Sequence, residues 1–196
     1  MKKIEFVWRH LLNERLTHHQ NSFRQQDLAH LLGLSSSTVN LALRPLRATG
    51  AVRISKRGFE IADLEKILFH WANHHQLVPQ LHLHLPLPPQ EIEGQLPDGS
   101  VTTAYSAVRE IFTEPPADYD KVYCYHPQPE IVIARFQTLT TPAPPNLFVL
   151  SSDPLLAGYG PQITLGHLFV DLWNLPDWYA KDFVHFIKVK IDELLS

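Results

Sequence analysis

The run "SFRQQDLAHLLGLSSSTVNLALRPLRATGAV", residues 22–52, restricts the fold more than any other part of the chain. Two helical periodicities are separated by Gly33, which leaves room only for a tight turn between them. Ser22 and Gln25 have the Ser-x-x-Gln spacing of a capping box, in which each side chain satisfies the other residue's amide. Leu28, Leu31 and Leu32 then form the inward side of a short helix, and Gly33 supplies the left-handed residue that ends it. Ser35 is placed to cap the second helix. Val39, Leu43 and Leu46 share one face of that helix, and Ser37, Asn40, Arg44 and Arg47 share another. Gly50 stops it. Pro45 removes one amide and crowds the carbonyl of Leu41, which predicts a bend or tightened turn beyond the first two turns.

The flanking segments extend the pattern. Ile4, Val7, Trp8, Leu11 and Leu12 predict an amphipathic helix over 4–16. After Gly50, Val52 and Ile54 alternate with polar residues, as do Phe59 and Ile61, across a turn holding Lys56, Arg57 and Gly58. That is a two-stranded hairpin with a basic tip. "DLEKILFHWANHH", residues 63–75, reads as a further helix with Leu64, Ile67, Leu68 and Trp71 apolar. Helix, capped helix, glycine turn, polar-faced helix and basic hairpin, in that order, describe a winged helix-turn-helix. Such a unit lays its second motif helix in the DNA major groove. Ser36, Ser37, Asn40, Arg44 and Arg47 are then the groove-facing candidates, with Arg53, Lys56 and Arg57 as the wing's backbone contacts. The chemistry suits the task. Asn pairs with adenine, Arg with guanine or phosphate, and Ser permits close approach.

Charge and proline divide the chain. Residues 1–80 hold 11 Lys or Arg against 6 Asp or Glu, while residues 81–196 hold 6 against 14. Two prolines fall in the first part and 14 in the second. The expected organisation is a winged helix-turn-helix domain over 1–78, a proline-rich linker over 79–90, and an α+β domain over 91–196. The basic part is suited to nucleic acid; the acidic part is not. No apolar run is long enough to span a bilayer, which excludes a membrane role. The amphipathic N-terminus, with Glu5 and Glu14, argues against a signal peptide. The one cysteine, Cys124, cannot form an intramolecular disulfide and fits a reducing cytoplasm.

In the second part, "LHLHL" alternates like a strand and "PLPP" is stiff and extended. "SVTTAYSAVREIF", residues 100–112, predicts a helix with Ala104, Ala107, Val108 and Ile111 inward. "KVYCYH", "EIVIARFQ" and "NLFVLSS" are β-branched or aromatic and predict strands. Helices are expected over "ITLGHLFVDLWNL", as far as Pro176, and over "DWYAKDFVHFIKVKIDELL". The fold class expected is thus α+β, a winged helix-turn-helix domain followed by a short sheet covered by helices.

Other residues of the chain suggest other chemistries. "DGS" at 98–100 and "DYD" at 118–120 have the elements of a nucleotidyltransferase, with Asp118 and Asp120 as a metal-holding pair. The interval between them is long, however, and "EPPA" before Asp118 favours a loop. His70 and His74, one helical turn apart, together with His75, His82 and His84, could bind a metal and so serve a metal-responsive repressor. With 12 histidines in the chain and no HExxH, surface and interface histidines are the better reading. Cys124, within "VYCYH", reads as a small core residue. No cofactor is expected.

The chain resembles the antitoxins of the type IV abortive-infection systems, the AbiEi-like regulators. The resemblance lies in "RQQDLAHLLGLSSSTVNLALRPLRATGAV", in "LPDGSVTTAYSAVREIF" and in "HLFVDLWNLPDWYAKDFVHFI". It implies a non-enzymatic repressor that binds inverted repeats in its own promoter. It also implies a nucleotidyltransferase-like toxin as protein partner. The residues it carries over are those of the groove-reading helix: Ser36, Ser37, Asn40, Arg44 and Arg47. The second domain is expected to bind a protein partner, a second copy of the chain as a homodimer, or a small ligand.

Overall fold

The computed structural model describes residues 1–195. Helix α1 (Lys3–His18) is the axis of the molecule. It packs on α3 (Ser36–Ala48) and α4 (Leu64–His74) on one side and on α8 (Leu165–Trp173) on the other. Its two sides are therefore both covered. Beside Val7, Trp8, Leu11 and Leu12, the charged Glu5 and Arg9 are also buried. The Trp8 indole donates to the Ala42 carbonyl at 2.9 Å, which fixes α1 against α3.

Helix α2 (Gln25–Leu31) and α3 form the helical pair, joined through Gly33 at φ +61°. The turn needs a positive φ that glycine adopts without strain. Ser35 caps α3, its Oγ accepting from the Thr38 amide at 3.1 Å. Val39, Ala42, Leu43 and Leu46 are buried. Helix α3 continues through Pro45 without a break, and the Thr49 amide closes the last turn on the Pro45 carbonyl at 3.0 Å. The bend expected at Pro45 is thus not a helix boundary. The helix side at Leu41, whose carbonyl loses the Pro45 partner, is exposed, so water can serve it instead.

The Ser22 capping box does not form. Ser22 and Phe23 make strand β1 (Ser22–Phe23), antiparallel to β3 (Gly58–Ile61), which also pairs with β2 (Val52–Ser55) in a sheet of order β1-β3-β2. A serine already committed to a strand ladder cannot take the cap geometry. Gln25 instead donates to the Ser36 carbonyl at 3.0 Å and ties the start of α2 to the start of α3. Within α2, Leu28 is buried but Leu31 is 61% exposed, contrary to the inward position expected for it. The hairpin forms with the two-residue connection Lys56-Arg57, although Ile54 is 66% exposed where alternation placed it inside.

The backbones of β1 and β3 cross closely at Gly58. A Cβ there would lie 2.0 Å from the Phe23 carbonyl oxygen, at a φ of +155°. Gly58→Ala must therefore push the strands apart. The expected loss is about 1–3 kcal/mol of stability, read as a lower urea midpoint. An unchanged midpoint would refute this reading of the crossing.

The second part contains β4 (Leu81–Leu83), α5 (Pro89–Gly94), β5 (Val101–Thr103), α6 (Ala104–Phe112), β6 (Val122–His126), α7 (Pro129–Phe136), β7 (Leu147–Ser151), α8 and α9 (Ala180–Glu193). The sheet order is β4-β7-β6-β5, with β6 and β7 parallel and both edge strands antiparallel. Two expectations need correction. Residues 101–103 are strand, so the helix of "SVTTAYSAVREIF" starts only at Ala104. "EIVIARFQ" is not a strand but most of α7, the crossover between the parallel pair. Pro129 in its first turn preorganises the helix, and Val132 and Phe136, four apart, share the buried side.

Strand β6 is buried on both faces, as a central strand with helices on each side must be. Val122 and Cys124 face a small cluster with Ile92, Val132 and Phe136. Tyr123 and Tyr125 belong to a large cluster that runs without interruption from α1 to α9 and includes Trp8, Trp71, Phe169 and Phe183. Apolar packing therefore joins the helical first part to the sheet. A charged seam crosses the same junction. His75 Nδ1 contacts Glu5 Oε2 at 2.6 Å, and His75 Nε2 lies 3.3 Å from Asp171 Oδ1. Arg9 donates two bonds of 2.7 Å to Asp153. Among the described residues no helix is long and apolar enough to cross a membrane.

Candidate nucleic-acid interface

Helix α3 buries Val39, Ala42, Leu43 and Leu46, so its opposite side is turned to solvent. At the helical period of about 100° per residue, Ser36, Asn40 and Arg47 line up, with Ser37 and Arg44 beside them on the same arc. Ser36, Ser37, Asn40 and Arg44 are exposed and Arg47 is half-buried. The structure thus brings the helix candidates together on one face.

That face is ordered by its own contacts. The Ser35 hydroxyl lies 2.8 Å from the Ser37 hydroxyl and 2.8 Å from that of Thr38, so Ser37 belongs to the cap network at the helix start. Arg47 donates to the Asn40 side-chain oxygen across two turns. The pairing uses one guanidinium nitrogen and leaves the Asn40 amide hydrogens free of it, while Arg47 Nε is buried. Leu41, 57% exposed at the edge of the same face, was not among the candidates. A large aliphatic side chain kept in water on a polar helix face is the signal that could have found it. In a major groove it matches a thymine methyl.

The wing candidates form a second group. Lys56 and Arg57 are the exposed connection between β2 and β3, and Arg53 is exposed on β2 opposite Glu60. Lys56 and Arg57 project at the tip, and Arg53 stands exposed behind them. The base of the wing is fixed to the end of α3. The Ala51 amide donates to the Leu46 carbonyl at 2.8 Å, while the Ala51 carbonyl accepts from Ala62 at 2.9 Å and Asp63 at 3.1 Å.

The other constellations are placed differently. Asp118 and Asp120 lie in the irregular segment before β6, and Asp120 accepts from the Tyr179 hydroxyl at 2.5 Å. The His70 and His74 rings lie 4.1 Å apart between centroids and are tilted by 34°, while His75 is drawn into the buried seam. Among the described residues no three His, Cys, Asp or Glu side chains are grouped so as to hold a metal ion. Cys124 is fully buried in β6, and burial pushes its thiol up to about 12, so it is an inert core side chain.

Residues 7–68 match the family model described as a Crp-like helix-turn-helix domain. The matched span runs from within α1, through the helical pair and the wing, into α4, and covers about a third of the chain. No curated protein and no solved structure is matched.

Proposed function

We propose that the chain is a sequence-specific, double-stranded-DNA-binding transcriptional repressor. The observation that carries this reading is the solvent-facing side of α3, a continuous polar and cationic strip on a helix whose span matches a helix-turn-helix family. Arg44 and Arg47 on α3, with Arg53, Lys56 and Arg57 on the wing, would neutralise phosphates and set the register on the duplex. Ser37 and Asn40 would read base edges. The likeness to abortive-infection antitoxins supports action on the chain's own promoter, with two copies on an inverted repeat and a nucleotidyltransferase-like toxin as partner of the second part.

Salt titration tests the reading. Five phosphate contacts predict a slope of log affinity against log salt near −4.5 and a loss of roughly several hundred-fold between about 50 and 200 mM salt. The measurement is fluorescence anisotropy on DNA from upstream of the gene. Arg44→Ala combined with Arg57→Ala should make the slope shallower by about 2 and weaken all sequences alike. Asn40→Ala should instead relax discrimination at one base position, by about 1–3 kcal/mol. If the double variant binds promoter DNA like the parent chain, neither α3 nor the wing is the interface.

A further inference from the structure

A cleft of about 850 Å³ lies between α1, α2, the end of α6, the segment 155–166 and α9. Its volume is within the range of roughly 300–1,000 Å³ of small-ligand sites. Leu31, Leu32, Phe112 and Ile163 make much of its wall. The exposed Leu31 thereby gains an explanation, because it faces this cleft.

Two carboxylates, Glu14 and Glu193, stand among the lining residues, and Glu193 is paired with Lys190. The Glu14 side chain is only 17% exposed, and its contacts are weak: Asn13 Nδ2 at 3.4 Å and His10 Nδ1 at 3.9 Å. The His10 ring cannot neutralise it at neutral pH, because burial pulls its pKa below the ordinary histidine value against the pull of Glu14. The cleft's lysine, Lys190, is engaged with Glu193 at 2.9 Å. Glu14 is thus a largely buried carboxylate whose one ion-pair contact among the described residues is the 3.9 Å approach of His10. Removing a charge from water without pairing is unfavourable, so such a wall favours a ligand that brings a positive charge.

We propose that this cleft is a binding site for a small lipophilic cation, an aryl or alkyl ammonium or phosphonium. Its apolar body lies against Leu31, Leu32 and Phe112, and its charge lies beside Glu14. The same His10, Glu14 and Leu31 also line a groove of about 1070 Å³ that reaches Lys56 and Arg57.

Tetraphenylphosphonium and tetraphenylborate have the same shape and opposite charge, and they are the probes for calorimetric titration of the full chain. The cation should bind with one-to-one stoichiometry, and the anion at least about tenfold more weakly. Glu14→Gln should cost the cation about tenfold and narrow the gap between the two ions. Leu31→Ala, at an exposed side chain that the fold does not need, should weaken both ions. Thermal melting of each variant separates loss of the site from loss of the fold. Absence of cation binding, equal binding of the two ions, or unchanged cation affinity in a folded Glu14→Gln chain would overturn the proposal.

Discussion

Arg9→Met is expected to remove about 3–5 kcal/mol of stability, a large part of the roughly 5–15 kcal/mol that holds a domain folded. The Arg9 side chain is 0% exposed. Its guanidinium makes two 2.7 Å bonds to Asp153 and lies 4.7 Å from the Tyr159 ring centroid. Burial alone would raise the Asp153 carboxyl pKa, but the hydrogen bonds and charge of Arg9 outweigh it and hold that carboxyl below the ordinary carboxylate range. Methionine fills most of the arginine volume, so the cost comes from leaving Asp153 charged and unpaired in a closed environment. The pair joins α1 to the segment after β7, so its loss should loosen the helical part from the sheet. Urea unfolding of Arg9→Met, Asp153→Leu and the double variant measures the coupling. The double variant should regain most of the loss, because no orphan charge remains. A loss under about 1 kcal/mol in Arg9→Met would mean that water reaches the site.

This pair also shows where sequence reasoning stops. In the sequence, Arg9 and Glu5 fall on what reads as the polar side of an amphipathic α1. The side is polar in composition yet packed against α8, because its partners Asp153 and His75 come from distant segments. No local periodicity encodes such pairing. Helix α3 was legible for the opposite reason. Its cap at Ser35, its buried positions three and four apart, and its exposed polar face are all local signals. The Ser22 capping box was a valid local signal too, but the ladder to Glu60 and Phe59 prevailed. "EIVIARFQ" failed through composition, where the four-residue spacing of Val132 and Phe136 was the better guide. The exposed polar side of α3 and the basic wing tip were legible as local patterns, whereas the exposure of Leu41 was not. The cleft at Glu14 could not be read, since its walls come from segments far apart in the chain.

Stability should pass through a maximum near pH 6.5, and two buried histidines set its sides. His75 lies between Glu5 and Asp171, and although burial opposes its charge, the hydrogen bonds and charges of those carboxylates raise its pKa from 6.5 to about 9. A raised pKa gives stability that is complete below the unfolded value and is lost as pH rises through the folded one. This shift contributes about 3 kcal/mol, which should disappear between pH 6.5 and 9. His167 is shifted the other way. Burial lowers its pKa from 6.5 to about 4, against the attraction of Asp171 3.6 Å away. Below pH 6.5 the unfolded chain takes up a proton that the folded chain refuses, so a similar amount is lost as pH falls from 6.5 to 4. Glu5, Asp153 and Asp171 have depressed pKa values despite burial; their contribution is present above the unfolded carboxylate range and is lost as pH falls through the folded values, which extends the acid side. Urea midpoints measured across this range trace the curve, and one variant divides it. His75→Gln should lower stability and flatten the alkaline side while leaving the acid side sloped. A descent from pH 6.5 to 9 that survives in His75→Gln would show that the seam between Glu5 and Asp171 does not hold a protonated imidazole.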